Sequence, residues 1–172
     1  SMRRALRDIG LGDMLAEVHI LTVAGPQEIL VNTPWEDLEF EVALDSGSVV
    51  HVCSLEDCRG YKLGESPGSR RGQEFLMGDG GTIPNLGQSK LNLTDVGTDR
   101  DLCSIFQIAA VTRPLMSVGK ICDEGHTIKF SHCMAVVYAT DGTELARFHR
   151  QNGGLYVAKL KLRSPAGFPG QE

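Results

Sequence analysis

Leu38-Glu39-Phe40-Glu41-Val42-Ala43-Leu44-Asp45-Ser46-Gly47-Ser48 is the stretch from which the fold is read. Leu38, Phe40, Val42 and Leu44 fall on every second position, the period of a β-strand with one buried face. The strand ends on a carboxylate that enters a Ser-Gly-Ser turn. Asp-Ser-Gly is a common turn, so a plain chain reversal is one reading. The other is that the apolar strand delivers Asp45 to a defined place. Gly47 would then let the backbone approach the carboxylate, where a Cβ would interfere.

Working outward, the same alternation of strand and turn recurs. Ile20 to Ala24 reads as a strand, and Arg3 to His19 as a short helix or lead-in, its apolar spacing broken by Gly10 and Gly12. Val49 to Cys53 is β-branched and predicts a strand, followed by a helical turn or loop from Ser54 to Asp57. Gly64 to Gly72 is rich in Gly, Ser, Pro and Arg and predicts a mobile loop. Glu74 to Met77 and Thr82-Ile83 flank Gly78-Asp79-Gly80-Gly81, which predicts a hairpin. Lys90 to Leu93 continues the sheet, and Cys103 to Val111 is apolar enough for a buried strand. Leu115 to Ile121 has the spacing of a short helix closed by Gly125. Thr127 to Phe130, Met134 to Tyr138, Leu145 to Phe148 and Leu155 to Ala158 read as strands, with Asp141-Gly142 and Asn152-Gly153-Gly154 as hairpin turns.

The expected organisation is a lead-in over 1–34, a β domain over 35–130, a β-hairpin extension over 131–163 and a linker over 164–172. A chain of 172 residues is long enough for one domain with a core of its own. Twenty glycines fit a turn-rich β protein. No stretch approaches the roughly 18 apolar residues of a membrane span. No apolar segment follows the N-terminal charges, so no secretory signal is expected. The Ser1-Met2 start and the Pro/Gly-rich end suggest a piece of a longer polyprotein. The net charge of −5 argues against nucleic acid as the main partner, despite basic residues at Arg3-Arg4-Arg7 and at Lys159, Lys161 and Arg163. Those short runs read as solvated faces.

Five cysteines at irregular spacing give no disulfide framework, and a reducing, cytosolic setting is expected. Cys53 and Cys58, or His132-Cys133, do not complete a zinc pattern, so no metal or other cofactor is expected. A Cys-His protease could be drawn from His51 and a cysteine, but no cysteine stands in a context that would lower its pKa. The glycine hairpin is not a phosphate loop, since no Lys-Ser/Thr follows at the required spacing.

If Asp45 is chemical, its chemistry needs a second carboxylate. Two carboxylates about 3 Å apart share one proton, because both cannot ionise there. The ionised member then acts as base on a water while the protonated one polarises a peptide carbonyl. Asp-Ser-Gly occurs once, so the second carboxylate would come from a second copy. Ser46 would supply a hydroxyl able to bond across the two-fold axis. The hairpin would be a flap, with a mobile tip closing over an extended peptide.

In this order the segments resemble a retropepsin, specifically the protease region of copia-type retrotransposon polyproteins. The resemblance rests on Leu38 to Ser48, on Met77-Gly78-Asp79-Gly80-Gly81-Thr82-Ile83-Pro84-Asn85-Leu86-Gly87, and on Arg113 to Phe130. Within the last, Leu115-Met116-Ser117-Val118-Gly119-Lys120 is the most distinctive. It spans roughly Trp35 to Leu162. The resemblance implies a mostly β, closed retropepsin-like barrel with a short helix. It implies a homodimer with catalytic Asp45 from each chain, supported by Ser46, Gly47 and Ser48, and a flap of Met77, Gly78, Asp79, Gly80, Gly81 and Thr82. It also implies cleavage of the element's own polyprotein inside the cell, within virus-like particles. Ser48 departs from the family, which most often has Ala there. Two other readings stay open: an inactive module that keeps the fold for dimerisation, and a nucleic-acid-associated factor using the basic tail.

Overall fold

The computed structural model describes Thr22, Val23 and residues 35–165. The helix expected over Arg3 to His19 lies outside the described residues, as does the linker beyond Pro165. The chain is mostly β. Its strands are β1 (Thr22–Val23), β2 (Trp35–Asp45), β3 (Val52–Cys53), β4 (Glu74–Leu76), β5 (Thr82–Pro84), β6 (Gly87–Asp95), β7 (Arg100–Ile108), β8 (Leu115–Ser117), β9 (Thr127–Phe130), β10 (Met134–Tyr138), β11 (Glu144–Arg150) and β12 (Tyr156–Pro165). Two short helices, α1 (Pro67–Arg70) and α2 (Val118–Asp123), and a 3-10 turn at Glu56–Cys58 complete the set.

Ten of these strands form one mixed sheet, while β4 and β5 pair only with each other. The long antiparallel ribbon of β2 and β12 is its spine, with Phe40 opposite Leu160 and Leu38 opposite Leu162. β6 pairs with β12 on one side and β7 on the other. At its far end β2 runs parallel to β8, which sets Asp45 beside Ser117.

The alternation along β2 is realised as burial. Phe40 and Val42 face a core that also holds Leu91, Leu93, Leu102, Phe106, Leu145, Phe148, Leu160 and Leu162. Phe40 meets Phe106 edge to face at 5.5 Å. Removing such a side chain from water contributes about 1.5–3 kcal/mol. The alternation stops at Ala43, which is also buried. There β2 is flanked by both β8 and β12.

The outer face of the ribbon explains the basic tail. Lys159, Lys161 and Arg163 stand directly opposite Glu41, Glu39 and Asp37. Lys159 Nζ is 3.9 Å from Glu41 Oε1, and Arg163 Nε 3.9 Å from Asp37 Oδ1. These exposed pairs favour the register but add little stability.

Several segments differ from expectation. Within 131–163, expected as a β-hairpin extension, β10 and β11 continue the same sheet and β12 pairs with β2 and β6. Ser164, expected as the first linker residue, belongs to β12, is buried and donates its hydroxyl to the Arg59 carbonyl. Of the strand expected over Val49 to Cys53, only Val52–Cys53 pairs. The loop expected over Gly64 to Gly72 contains α1, where Ser66 and Ser69 form a reciprocal cap at 3.0 and 2.9 Å and Pro67 opens the helix. Leu115 to Ser117, expected as helix, is strand β8, because these residues complete the sheet beside β2. The helix starts only at Val118, capped by the Ser117 hydroxyl.

Phe106 is fully buried against Phe40 and His51. Phe106→Ala is expected to lower unfolding stability by about 3–5 kcal/mol, whereas Lys159→Ala changes it by less than about 1 kcal/mol. Urea denaturation midpoints at neutral pH measure both.

Candidate active site

Asp45 is half-buried where β2 ends. Its Oδ1 accepts the Gly47 N–H at 2.8 Å, so the carboxylate is turned back onto its own loop. A Cβ on Gly47 would lie 3.3 Å from that oxygen, close enough that the carboxylate would have to give way. Ser46 and Gly47 are exposed beside it. The Ser48 hydroxyl donates to the Val50 carbonyl at 2.6 Å, a local bond that tightens the turn.

The loop is clamped from behind by Ser117. The Ser117 hydroxyl donates to the Ser48 carbonyl at 2.6 Å and accepts the Lys120 N–H at 3.1 Å. The Ser117 N–H donates to His51 Nδ1 at 2.9 Å. His51 is therefore neutral with its proton on Nε2. Burial, helped by the Lys120 charge, pushes its pKa down to about 3. This geometry removes His51 as the base of a Cys-His protease: it is 3% exposed and its acceptor nitrogen is occupied. Cys53 is also buried, and its thiol is held well above its ordinary pKa by a hydrogen bond to Cys58 and by burial. Among the described residues, no group of three His, Cys, Asp or Glu side chains is placed to hold a metal ion.

The second wall is the β4–β5 hairpin. Phe75 pairs with Ile83 and Leu76 with Thr82. The tip is closed by Met77 N–H to Gly81 O at 2.7 Å, Gly80 N–H to Met77 O at 2.9 Å, and Gly81 N–H to Asp79 Oδ1 at 2.8 Å. Gly80 has φ +87, a conformation glycine adopts without strain. Leu76 is 77% exposed, so the hairpin stands off the body with an apolar side chain in solvent.

A cleft of about 300 Å³ joins the two elements. Asp45, Gly47, Ser48 and Met77, each singled out from the sequence, are among its walls. Ser46, Gly78, Asp79, Gly80, Gly81 and Thr82 are not; the hairpin lines the cleft with Gln73 to Met77, its β4 side. The sequence reading missed the remaining walls, Val49, Val52, Gln73, Glu74, Phe75, Leu76, Val111, Thr112, Arg113 and Leu115. Nothing local marks Val111 to Leu115 as cleft residues; the parallel pairing of β8 with β2 brings them there.

The hairpin is anchored by a buried amide cluster that was also missed. Asn85 Nδ2 donates to Gln107 Oε1 at 2.9 Å and to Gln73 Oε1 at 3.3 Å, and its Oδ1 accepts the Gly87 N–H at 2.9 Å. The Asn85 N–H donates to the Gln73 carbonyl at 2.9 Å. Both feet of the hairpin thus meet at one side chain. Asn85→Leu leaves buried amide groups unpaired and is expected to destabilise the protein by about 1–3 kcal/mol. It also raises hydrogen exchange at Glu74 to Thr82 above that of β6 and β7, as mass spectrometry after deuterium labelling would read.

Comparison with family models, curated proteins and solved structures finds no match to this chain.

Proposed function

We propose that the protein is an aspartic endopeptidase of the retropepsin type, active as a homodimer in which each copy contributes Asp45. The observation that carries this reading is the cleft that places a loop-held carboxylate opposite an outstanding hairpin. The pairing pattern supports the closed β architecture that the resemblance implies: β2, β12, β6, β7, β3 and β8 pair in a circuit that returns to β2.

One chain offers a single carboxylate on the Asp45 loop, so a two-fold axis close to Asp45 would complete the pair. The two aspartates then hold one proton between them. The ionised one takes a proton from water, the other donates to the peptide carbonyl, and water oxygen adds to the carbonyl carbon. Collapse of the tetrahedral species breaks the C–N bond as the amide nitrogen takes a proton. An extended peptide would lie between the Asp45 loop and the hairpin, held by backbone hydrogen bonds, and closure would exclude water. The substrate is then an unfolded stretch of polyprotein within the cell.

Asp45→Asn removes the titrating group at nearly constant shape. Wild type is expected to cleave denatured casein at acidic pH in a pepstatin-sensitive way. Asp45→Asn is expected to retain the wild-type melting temperature within a few degrees and to lose at least about 10³-fold in rate, in line with removal of a group essential to proton transfer. Cleavage retained by Asp45→Asn would sink the assignment. A wild-type chain that sediments as a monomer and cleaves nothing would mark an inactive module instead.

A further inference from the structure

His51 touches no part of the cleft, yet it is buried behind the Asp45 loop and tied to it. The connection runs through Ser117, which donates its N–H to His51 Nδ1 at 2.9 Å and its hydroxyl to the Ser48 carbonyl at 2.6 Å. Ser117 also lies beside Asp45 in the parallel β2–β8 pairing and caps α2. One residue thus holds the end of the catalytic strand, the far side of its loop and the start of a helix. Its N–H is satisfied by a lone pair of His51.

We infer that His51 is a positioning residue: its neutral imidazole, through Ser117, keeps the Asp45–Ser48 loop in its working shape, and its protonation releases that loop. The inference rests on the proposed aspartic endopeptidase activity. A protonated Nδ1 would set N–H against the Ser117 N–H and remove the acceptor. Among the described residues, no carboxylate is placed to favour an imidazolium. β7 contributes the Phe106 ring, 5.5 Å away between centroids, and the Gln107 N–H, which donates to the His51 carbonyl at 2.8 Å. The β8–α2 junction contributes Ser117 and, as the charged group, Lys120, which opposes protonation. The buried Nε2 has no hydrogen-bond partner among the described residues. The sign follows. His51 binds its proton near pH 3 when folded and near pH 6.5 when unfolded. As pH falls from about 6.5 to 3, the unfolded chain takes up the proton first, so the clamp's stabilisation is lost progressively through that window. Within the folded state the clamp itself survives until about pH 3. An acid-working carboxylate pair would therefore keep its loop shape across most of its range.

The experiment compares wild type, His51→Leu, His51→Asn and Ser117→Ala in casein cleavage from about pH 2.5 to 7, a span that brackets both the folded and the unfolded titration of the imidazole. In His51→Asn the side-chain carbonyl oxygen of the introduced amide can accept the Ser117 N–H but does not titrate. His51→Leu and Ser117→Ala are expected to lower kcat by about 10–100-fold with KM changed less than about threefold, the effect of a displaced catalytic group. His51→Asn is expected to recover most of that loss and to shift the acid limb of the rate profile downward. A His51→Asn acid limb identical to that of wild type overturns the inference. An activity-free readout accompanies it: ¹⁵N NMR of the imidazole should show the Nε2–H tautomer, and the Gly47 and Ser117 amide resonances should move with the His51 titration. Gly47 and Ser117 resonances that ignore that titration also overturn it. Wild-type protein that cleaves nothing while these resonances follow His51 would fail the proposed activity and leave the clamp standing.

Discussion

The bond from the Ser117 hydroxyl to the Ser48 carbonyl, 2.6 Å long, is the constraint on which the candidate site depends. A carboxylate at the end of a strand is useful only if the turn after it has one shape. Asp45 receives the Gly47 N–H from its own loop, but a short turn held by local bonds alone would sample several conformations. Ser117 brings in a distant part of the chain. It adds an anchor 69 residues away in sequence, and that anchor is rigid because β8 is paired with β2 and ends in a capped helix.

The same logic governs the opposite wall. Among the described residues the β4–β5 hairpin pairs with no other strand, so the sheet does not fix its position. Its direction is set at its base, where Asn85 joins Gln73 and Gln107. Buried amides satisfied in this way specify one arrangement more sharply than an apolar contact of equal size. Close backbone approach reinforces the anchor. A Cβ on Gly87, at φ +140, would lie 2.3 Å from the Gly64 carbonyl oxygen. The cleft thus combines a floor held by Ser117 with a wall held at its foot by Asn85.

Much of this was legible residue by residue. The period of Leu38, Phe40, Val42 and Leu44 located β2, and the glycines at 78, 80 and 81 located the hairpin tip. Other features were misread because local composition spoke for the wrong partner. Ser66-Pro67 starts a helix, yet its Gly- and Arg-rich surroundings suggested loop. Leu115-Met116-Ser117 has helical spacing, yet a place beside β2 makes it strand, and tertiary pairing overrides propensity over so few residues. Lys159, Lys161 and Arg163 read as a solvated face, which they are, but the acidic residues opposite them are known only from the register.

From its order of residues alone, the chain determined that it would be built from short strands and tight turns, and that Asp45 would end one of those strands. Both follow from patterns a few residues long: side-chain alternation, and the backbone conformations open to Gly, Asp and Asn. Only the tertiary structure decided that His51 would be a neutral, buried clamp rather than a base, that Ser117 would hold the Asp45 loop, and that Asn85 would gather both feet of the hairpin. Each of those roles depends on residues separated by 12 to 69 positions. Which distant groups meet is set by strand order and register, and these are resolved by burying one common core rather than by any local preference.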